Sequence, residues 1–477
     1  MLKSILILLL VYSNIAAEVN LKLTAADRQI IYHTYNFEFD KAESILQAEL
    51  KKDPNNLKFY FLSLGIKSMM IERKVFDEIP ARKWEVKERL LLEGIDYANS
   101  ILEKFENVKL TTENKFYLGC VYGYLGRMYG VTKSWMSAFS DGKTGRNMLE
   151  EVIEENPEFN DAYLLLGMFN YYGDRMGGFL GFVAGILGFS GDRDLGIEYI
   201  LRAYNNGFLL PDQAELLLIE LYSTLEANKL AAIALHRKFV SKYPNNHHIL
   251  NWYFRDLLYL DMTDEASVIA KEKNEFIDPL LMADYYYKIG DFKKSEFYLK
   301  KSEAKIENYY EGQKKQIKVL GVLNSWMQSK KLNITNIPED YQELYKEFKS
   351  DEVFSKKVFE LSIAMREDSF TKEQKELLTS SPRINNKMPD IKLAFDSGVY
   401  YFQKKNYEEA RKRFERVKFF DKKHYHFRAI QYLIPIYDEL IVSKGKVTSL
   451  IEEIEEMDYE KLSYSVRNLA KKYNIDQ

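Results

Sequence analysis

The chain has 477 residues, 68 lysines and arginines against 71 aspartates and glutamates, 46% hydrophobic positions and a single cysteine. This apolar share excludes wholesale disorder, the near-neutral charge argues against a dedicated nucleic-acid binder, and one Cys120 excludes a disulfide framework or a multi-cysteine zinc site. Length alone would suggest about three domains, but repeat arrays escape that count.

Lys3 precedes an apolar run from Ile5 to Val11. Ser13-Asn14-Ile15-Ala16-Ala17 then offers a cleavage site, with Ile15 at −3 and Ala17 at −1. That is the layout of a secretory signal peptide, and the run falls short of the roughly 20 residues needed to span a bilayer. Residues 1–17 are therefore expected to be removed on export, leaving a cysteine-poor chain that is periplasmic or secreted.

Beyond the leader, helical pairs are expected over Asp27–Lys52, Trp84–Phe105, Glu113–Asn156, Asp161–Asn206, Gln213–Tyr243, His248–Asn274 and Leu280–Lys305, with another helix over Gln313–Lys330. Two spacings recur among them. Ala42, Gly145 and Ala232 each stand twelve residues before a proline, at Pro54, Pro157 and Pro244. Phe39 with Ala42, Phe292 with Ser295 and Tyr407 with Ala410 are aromatic-x-x-small, each after a turn signal. Both relations belong to the tetratricopeptide helix–turn–helix of about 34 residues. The fullest copy runs from Ile391 to His424, where Gly398 and Ala410 let two backbones approach while Tyr401 and Phe414 fill the space beside them. Leu118-Gly119 and Leu166-Gly167 repeat its first half. The expected fold is all-α: a tetratricopeptide-like right-handed superhelix of stacked antiparallel helix pairs. Its array covers 18–330, followed by an irregular helical connector at 331–390 that holds Pro338, Pro382 and Pro389, and by repeat-like helices at 391–477.

A glycine-rich hydrophobic insertion at 173–191 interrupts the array. Gly119, Gly123, Gly126 and Gly130 form one helical stripe, and Gly181, Gly185 and Gly188 a second. Glycine costs about 1 kcal/mol inside a helix, so these stripes are expected to pack unusually close. The apolar run Phe179–Phe189 is too short to cross a membrane and reads first as core. With Trp135, Phe139, Phe182 and Leu187 it is the candidate hydrophobic site.

Gly188-Phe189-Ser190-Gly191-Asp192-Arg193-Asp194-Leu195-Gly196 resembles the signature of the tetratricopeptide repeat protein 39 and inclusion-body-clearance family. Asn36–Ala42 and Lys133–Phe139 are similar to exported bacterial repeat proteins that share it. The resemblance spans roughly Asp27 to Tyr222 and implies a repeat superhelix without known catalytic residues. The eukaryotic relatives are intracellular and linked to lipid handling, and the export signal departs from them.

Motifs that carry chemistry fail on context. Ser137–Thr144 approaches a phosphate loop but has serine for the first glycine and no preceding strand, and is expected to be a turn between helices. Gly188–Asp192 lacks the last glycine of a nucleophile elbow, and Ser190 is expected to cap the helix that follows. His247-His248 and His424-x-His426 lack metal-ligand spacing and are expected at the surface. Cys120 is expected to be a buried, inert thiol. The basic stretch Lys404–Lys423 is interleaved with glutamates and reads as a solvated helix face.

These readings point to an exported scaffold, not an enzyme, with no cofactor and no metal. It is expected to bind a protein or peptide through a concave helical surface, and no nucleic acid. The alternative is a carrier or membrane-surface module that takes a hydrophobic ligand or lipid near the glycine-rich segment.

Overall fold

The computed structural model describes residues 23–80, 82–175, 191–328, 331–379 and 387–475, and no strand occurs among them. The leader at 1–17 and the central part of the insertion, 176–190, lie outside the described residues. The chain forms two compact units, 1–78 with 84–218 and 79–83 with 219–477. That division falls within the 18–330 span expected as one array.

Unit 1 runs through α1 (Ala25–Tyr35), α2 (Phe39–Lys52), α3 (Leu57–Arg73), α4 (Trp84–Lys104), α5 (Thr112–Val131), α6 (Trp135–Glu155), α7 (Ala162–Asp174) and α8 (Arg193–Asn206), with α9 (Pro211–Glu220) following. Unit 2 holds α10 (Lys229–Lys242), α11 (His247–Tyr259), α12 (Thr263–Glu272), α13 (Pro279–Lys288), α14 (Phe292–Glu303) and α15 (Glu311–Gln328). The 331–390 stretch contributes α16 (Glu339–Ser350), α17 (Glu352–Glu367) and α18 (Lys372–Thr379). The chain ends in α19 (Met388–Gln403), α20 (Tyr407–Phe420), α21 (His426–Leu440), α22 (Lys444–Glu456) and α23 (Glu460–Lys472).

One local device builds the pairs. Phe37, Lys133, Ala227, Asp261, Gly290, Lys405 and Asp458 all take a left-handed conformation, with φ between 47° and 78°. The next residue ends the turn, and the second helix of the pair starts one residue later. In six of the seven, the amide of that next residue returns to the carbonyl five positions back, as Glu38 to His33 at 2.9 Å and Asn406 to Tyr401 at 2.9 Å. This is the Schellman closure, and it satisfies carbonyls that a helix end would leave orphaned. Five residues after each left-handed position stands a small side chain: Ala42, Ala138, Ala232, Ala266, Ser295, Ala410 or Ser463. Ala42, Ala232, Ala266, Ser295 and Ala410 are fully buried. Ser295 shows what they face, because its hydroxyl donates to the Ala283 carbonyl of the paired helix at 2.9 Å. The stack of antiparallel pairs is thus tetratricopeptide-like in both units.

In the long α5–α6 pair, glycines join Ala138 at the contact. A Cβ on Gly145 would lie 2.8 Å from the Gly119 carbonyl oxygen and 2.9 Å from the Gly123 nitrogen. One on Gly126 would meet the Gly142 backbone at 3.1 Å, whereas Gly130 has nothing within 4 Å. The first glycine stripe therefore meets the α6 backbone closely at Gly119 and Gly126, but not at Gly130. Its expected partner stripe, Gly181 to Gly188, lies outside the described residues.

Two expectations about local structure need correction. Ser137–Thr144 is not a turn: it lies inside the continuous helix α6, and the turn stands earlier, at Lys133. The helix after the insertion is capped by Asp192, whose carboxylate accepts the Leu195 amide at 3.0 Å, and the expected cap, Ser190, lies outside the described residues.

Candidate functional site

Unit 1 offers a half-open groove of about 330 Å³ between α2, α3 and α4. Leu46, Ile66, Met70 and Leu90 supply an apolar floor, while Glu43, Gln47, Lys67 and Glu93 stand on the rim. On one wall the Ser63 and Tyr97 hydroxyls share a hydrogen bond at 2.5 Å. The Lys67 ammonium lies 5.2 Å from the Tyr97 ring centre, so the aromatic wall carries a cation on its face. Apolar depth with a rim of both charge signs suits a polypeptide segment.

In unit 2 the turns of several pairs are covered by its own chain. Gln403 donates to the Leu260 and Asp261 carbonyls, both at 3.0 Å, and Arg428 donates to the Tyr259 carbonyl at 2.9 Å. Gln431 reaches the Ala227 carbonyl, and Ile363 packs 3.2 Å from where a Gly290 Cβ would stand. Three successive pair turns are thus covered by α17, α19 and α21. Helix α19 is buried on every side from Met388 to Val399 except at Asp390. The charges that hold this closure are themselves buried. Asp261 accepts Lys288 at 2.6 Å and Arg366 at 3.0 Å, and Lys392 pairs with Asp396 at 2.5 Å. Burial alone would raise the Asp261 pKa; the Arg366, Lys288 and Arg428 charges overcome it and hold that carboxyl well below the usual range.

A second buried polar cluster escaped the sequence reading. Ser223 donates to Asp256 Oδ2 at 2.5 Å, His236 Nε2 sits 3.2 Å from the same oxygen, and Lys229 holds Oδ1 at 2.7 Å. A nucleophilic relay needs the imidazole between serine and carboxylate. Here both groups share one carboxylate oxygen, and Ser223, His236 and Asp256 are at most 4% exposed. Burial lowers the His236 pKa, which keeps the ring neutral. The cluster joins the turn after α9 to α10 and α11. No residue spacing announces it, since its members meet only when these helices pack.

The predicted residues fall as follows. Ala42, Ala232 and Ala410 sit at the small position of their pairs. Gly398 faces the Phe414 ring, which a Cβ would meet at 3.0 Å. Gly167 and Gly196 press α7 against α8, a Cβ on Gly167 lying 2.7 Å from the Gly196 oxygen. Gly191 packs on the end of α7, 2.0 Å from the Asp174 nitrogen by the same measure, and Arg193 is buried in the first turn of α8. Gly188, Phe189, Ser190, Phe182 and Leu187 lie outside the described residues. Trp135 is 39% exposed, while Phe139, one turn on, is buried. Cys120 is buried, and burial pushes its thiol pKa up.

The histidine and basic-stretch expectations are corrected in part. His426 is fully buried, bonded to Glu453 at 2.9 Å and Tyr459 at 3.0 Å, and His247 stacks on Phe276 with ring centres 3.9 Å apart. Within Lys404–Lys423, Arg413 is buried under Tyr401 and donates to the Leu378 carbonyl at 3.2 Å. Arg411 and Lys412 pair with glutamates of their own helix, as a solvated face does.

Fold and groove together define a tetratricopeptide-like protein of stacked helix pairs. No family model matches the chain, and no curated protein does. Among solved structures it is similar to yeast Tom70 at 13% identity, over 90% of this chain and 91% of that one, with a TM-score of 0.28. It is also similar to the APC/C hetero-tetramer Cut9-Hcn1 at 12% identity, over 95% and 91%, with a TM-score of 0.22. At such scores the fold rests on the helix pairs themselves.

Proposed function

We propose that the protein is a non-catalytic scaffold that binds a protein or peptide segment in the α2–α4 groove of unit 1. The supporting observation is that groove: half-open, apolar at its floor and bearing both charge signs at its rim, built from the packing surfaces of successive pairs. A photo-crosslinking residue placed at Lys67 tests it. Crosslinks to a polypeptide that disappear when Met70→Trp fills the floor support the reading; crosslinks that persist in the filled variant refute it.

The site of action on this reading is outside the cytoplasm, periplasmic or secreted, on the strength of the 1–17 pattern. The Gly188–Gly196 signature supports kinship with exported bacterial repeat proteins, and Gly191 and Gly196 in it have the packing role a signature glycine would need. A membrane-surface role is the second reading, favoured by the α5–α6 turn, where Val131 is 40%, Trp135 39% and Met136 74% exposed. No described helix is long and apolar enough to cross a membrane, so such contact would be interfacial. Co-flotation with anionic vesicles that Trp135→Ser and Met136→Ser abolish would support it, and failure to float would remove it.

A further inference from the structure

We propose that unit 2 carries a binding site of its own: a pocket that takes one aliphatic side chain of a polypeptide together with its flanking backbone amides. The proposal does not rest on the unit 1 groove. The pocket measures about 280 Å³ and lies where the turn at Ala227 meets α21 and α23. That is just under the ~300–1,000 Å³ of sites for drug-sized ligands, a size suited to a single residue.

Its chemistry is that of an uncharged amide ligand with an apolar body. Leu230, Leu260, Ile434 and Leu462 make the apolar walls. Two charged side chains reach the lining, but each is already neutralised: Lys229 by Asp256 at 2.7 Å and Asp438 by Lys472 at 2.5 Å. A charged ligand would have to displace one of these partners, and a neutral one would not.

The polar groups left over are of the kind that read a peptide backbone. Pro435 stands inside α21 and has no N–H to return to the Gln431 carbonyl, so that carbonyl keeps an unused acceptor position at a residue lining the pocket. The Gln431 side chain is engaged elsewhere: its Nε2 donates to the Ala227 carbonyl and its Oε1 accepts from the Tyr259 hydroxyl. Among the other lining residues, the half-buried Ser465 hydroxyl and the exposed Asn468 amide make no hydrogen bond to another described residue. An acceptor, a hydroxyl and an amide on residues that line one pocket with leucine and isoleucine walls match the N–H and C=O groups that flank an aliphatic residue.

The test is titration of the full chain with N-acetyl-L-leucinamide, followed by calorimetry or protein NMR. The wild type should bind it saturably, and N-acetylglycinamide about tenfold or more weakly, since an apolar pocket loses that much with the side chain. Pro435→Ala restores the helical N–H and occupies the Gln431 carbonyl. It should weaken binding about threefold to tenfold, the worth of one hydrogen bond, while raising the melting temperature. That combination separates loss of the site from loss of the fold. Ser465→Trp should abolish binding by filling the pocket, and Met70→Trp in unit 1 should leave it unchanged. Absence of saturable binding to the wild type, equal affinity for the glycine analogue, or undiminished affinity in Pro435→Ala would overturn the proposal.

Discussion

Replacing Gly145 by alanine tests the packing of the α5–α6 pair. In an unconstrained helix interior the change would stabilise by about 1 kcal/mol through propensity. In this helix the new methyl would stand 2.8 Å from the Gly119 oxygen, 2.9 Å from the Gly123 nitrogen and 3.1 Å from the Tyr122 Cβ. Two of these three neighbours are backbone atoms, so relief requires the helices to part rather than a side chain to turn. Overpacking of that kind costs about 1–3 kcal/mol, and it also forfeits the propensity gain that an open site would show. Gly65 is the internal control: it is exposed in α3 with nothing within 4 Å of its added Cβ. Gly65→Ala should stabilise by about 0.5–1 kcal/mol. Urea unfolding followed by far-UV circular dichroism reads both. At a slope of about 1–3 kcal/mol per molar, the midpoint for Gly145→Ala should fall by about 0.5–1 M while that for Gly65→Ala rises. A midpoint for Gly145→Ala at or above wild type would refute the claim that these backbones touch.

Three further outcomes follow from particular contacts. Asp192→Ala removes the cap of α8 and should cost about 0.5–2 kcal/mol in the same urea assay; an unchanged midpoint would contradict that cap. Arg366→Met strips Asp261 of one of the two cations paired with it directly and should destabilise by about 2–3 kcal/mol; adding Asp261→Asn should recover part of that loss in a double-mutant cycle, and strict additivity would contradict the ion pair. Acid should weaken the protein in two steps. His236 and His426 have folded pKa values below the ordinary histidine value, so their contribution is complete above about pH 6.5 and fades as pH drops below it. The lowered Asp256 and Asp261 carboxyls add a further loss as pH falls below about 4. Stability that rises on acidification from pH 7 to 5 would contradict the buried neutral imidazoles.

The helix pairs were legible in the sequence where a turn and a small residue stood at readable distance. Phe39-x-x-Ala42 and Tyr407-x-x-Ala410 mark pair turns because an aromatic residue opens the second helix. The same turn occurs at Ala227, Asp261 and Asp458, but there the second helix opens with Lys229, Thr263 or Glu460; at Lys133 it opens with the aromatic Trp135 three residues before Ala138, and only one of the seven left-handed positions is glycine. A small residue five positions after the turn is the constant feature, and it is invisible until the turn is known. Helix α3 was missed for a related reason. Leu57, Phe59, Leu62, Leu64, Ile66, Met69 and Ile71 are all buried, so the segment shows no amphipathic period. The groove between α2 and α4 depends on how three helices lean together, and the closure of unit 2 joins residues more than 100 positions apart. Neither leaves a local mark. Asp256, His236 and Ser223 illustrate the reverse: residue types that suggest chemistry, brought together for packing.

Hydrogen–deuterium exchange on the protein with and without its crosslinked partner tests the central claim most directly. The account predicts slower exchange confined to the segments that line the groove, Glu43–Gln47, Ser63–Lys74 and Leu90–Tyr97. Protection that spares all three and appears instead on the α5–α6 turn or along α19 would contradict it.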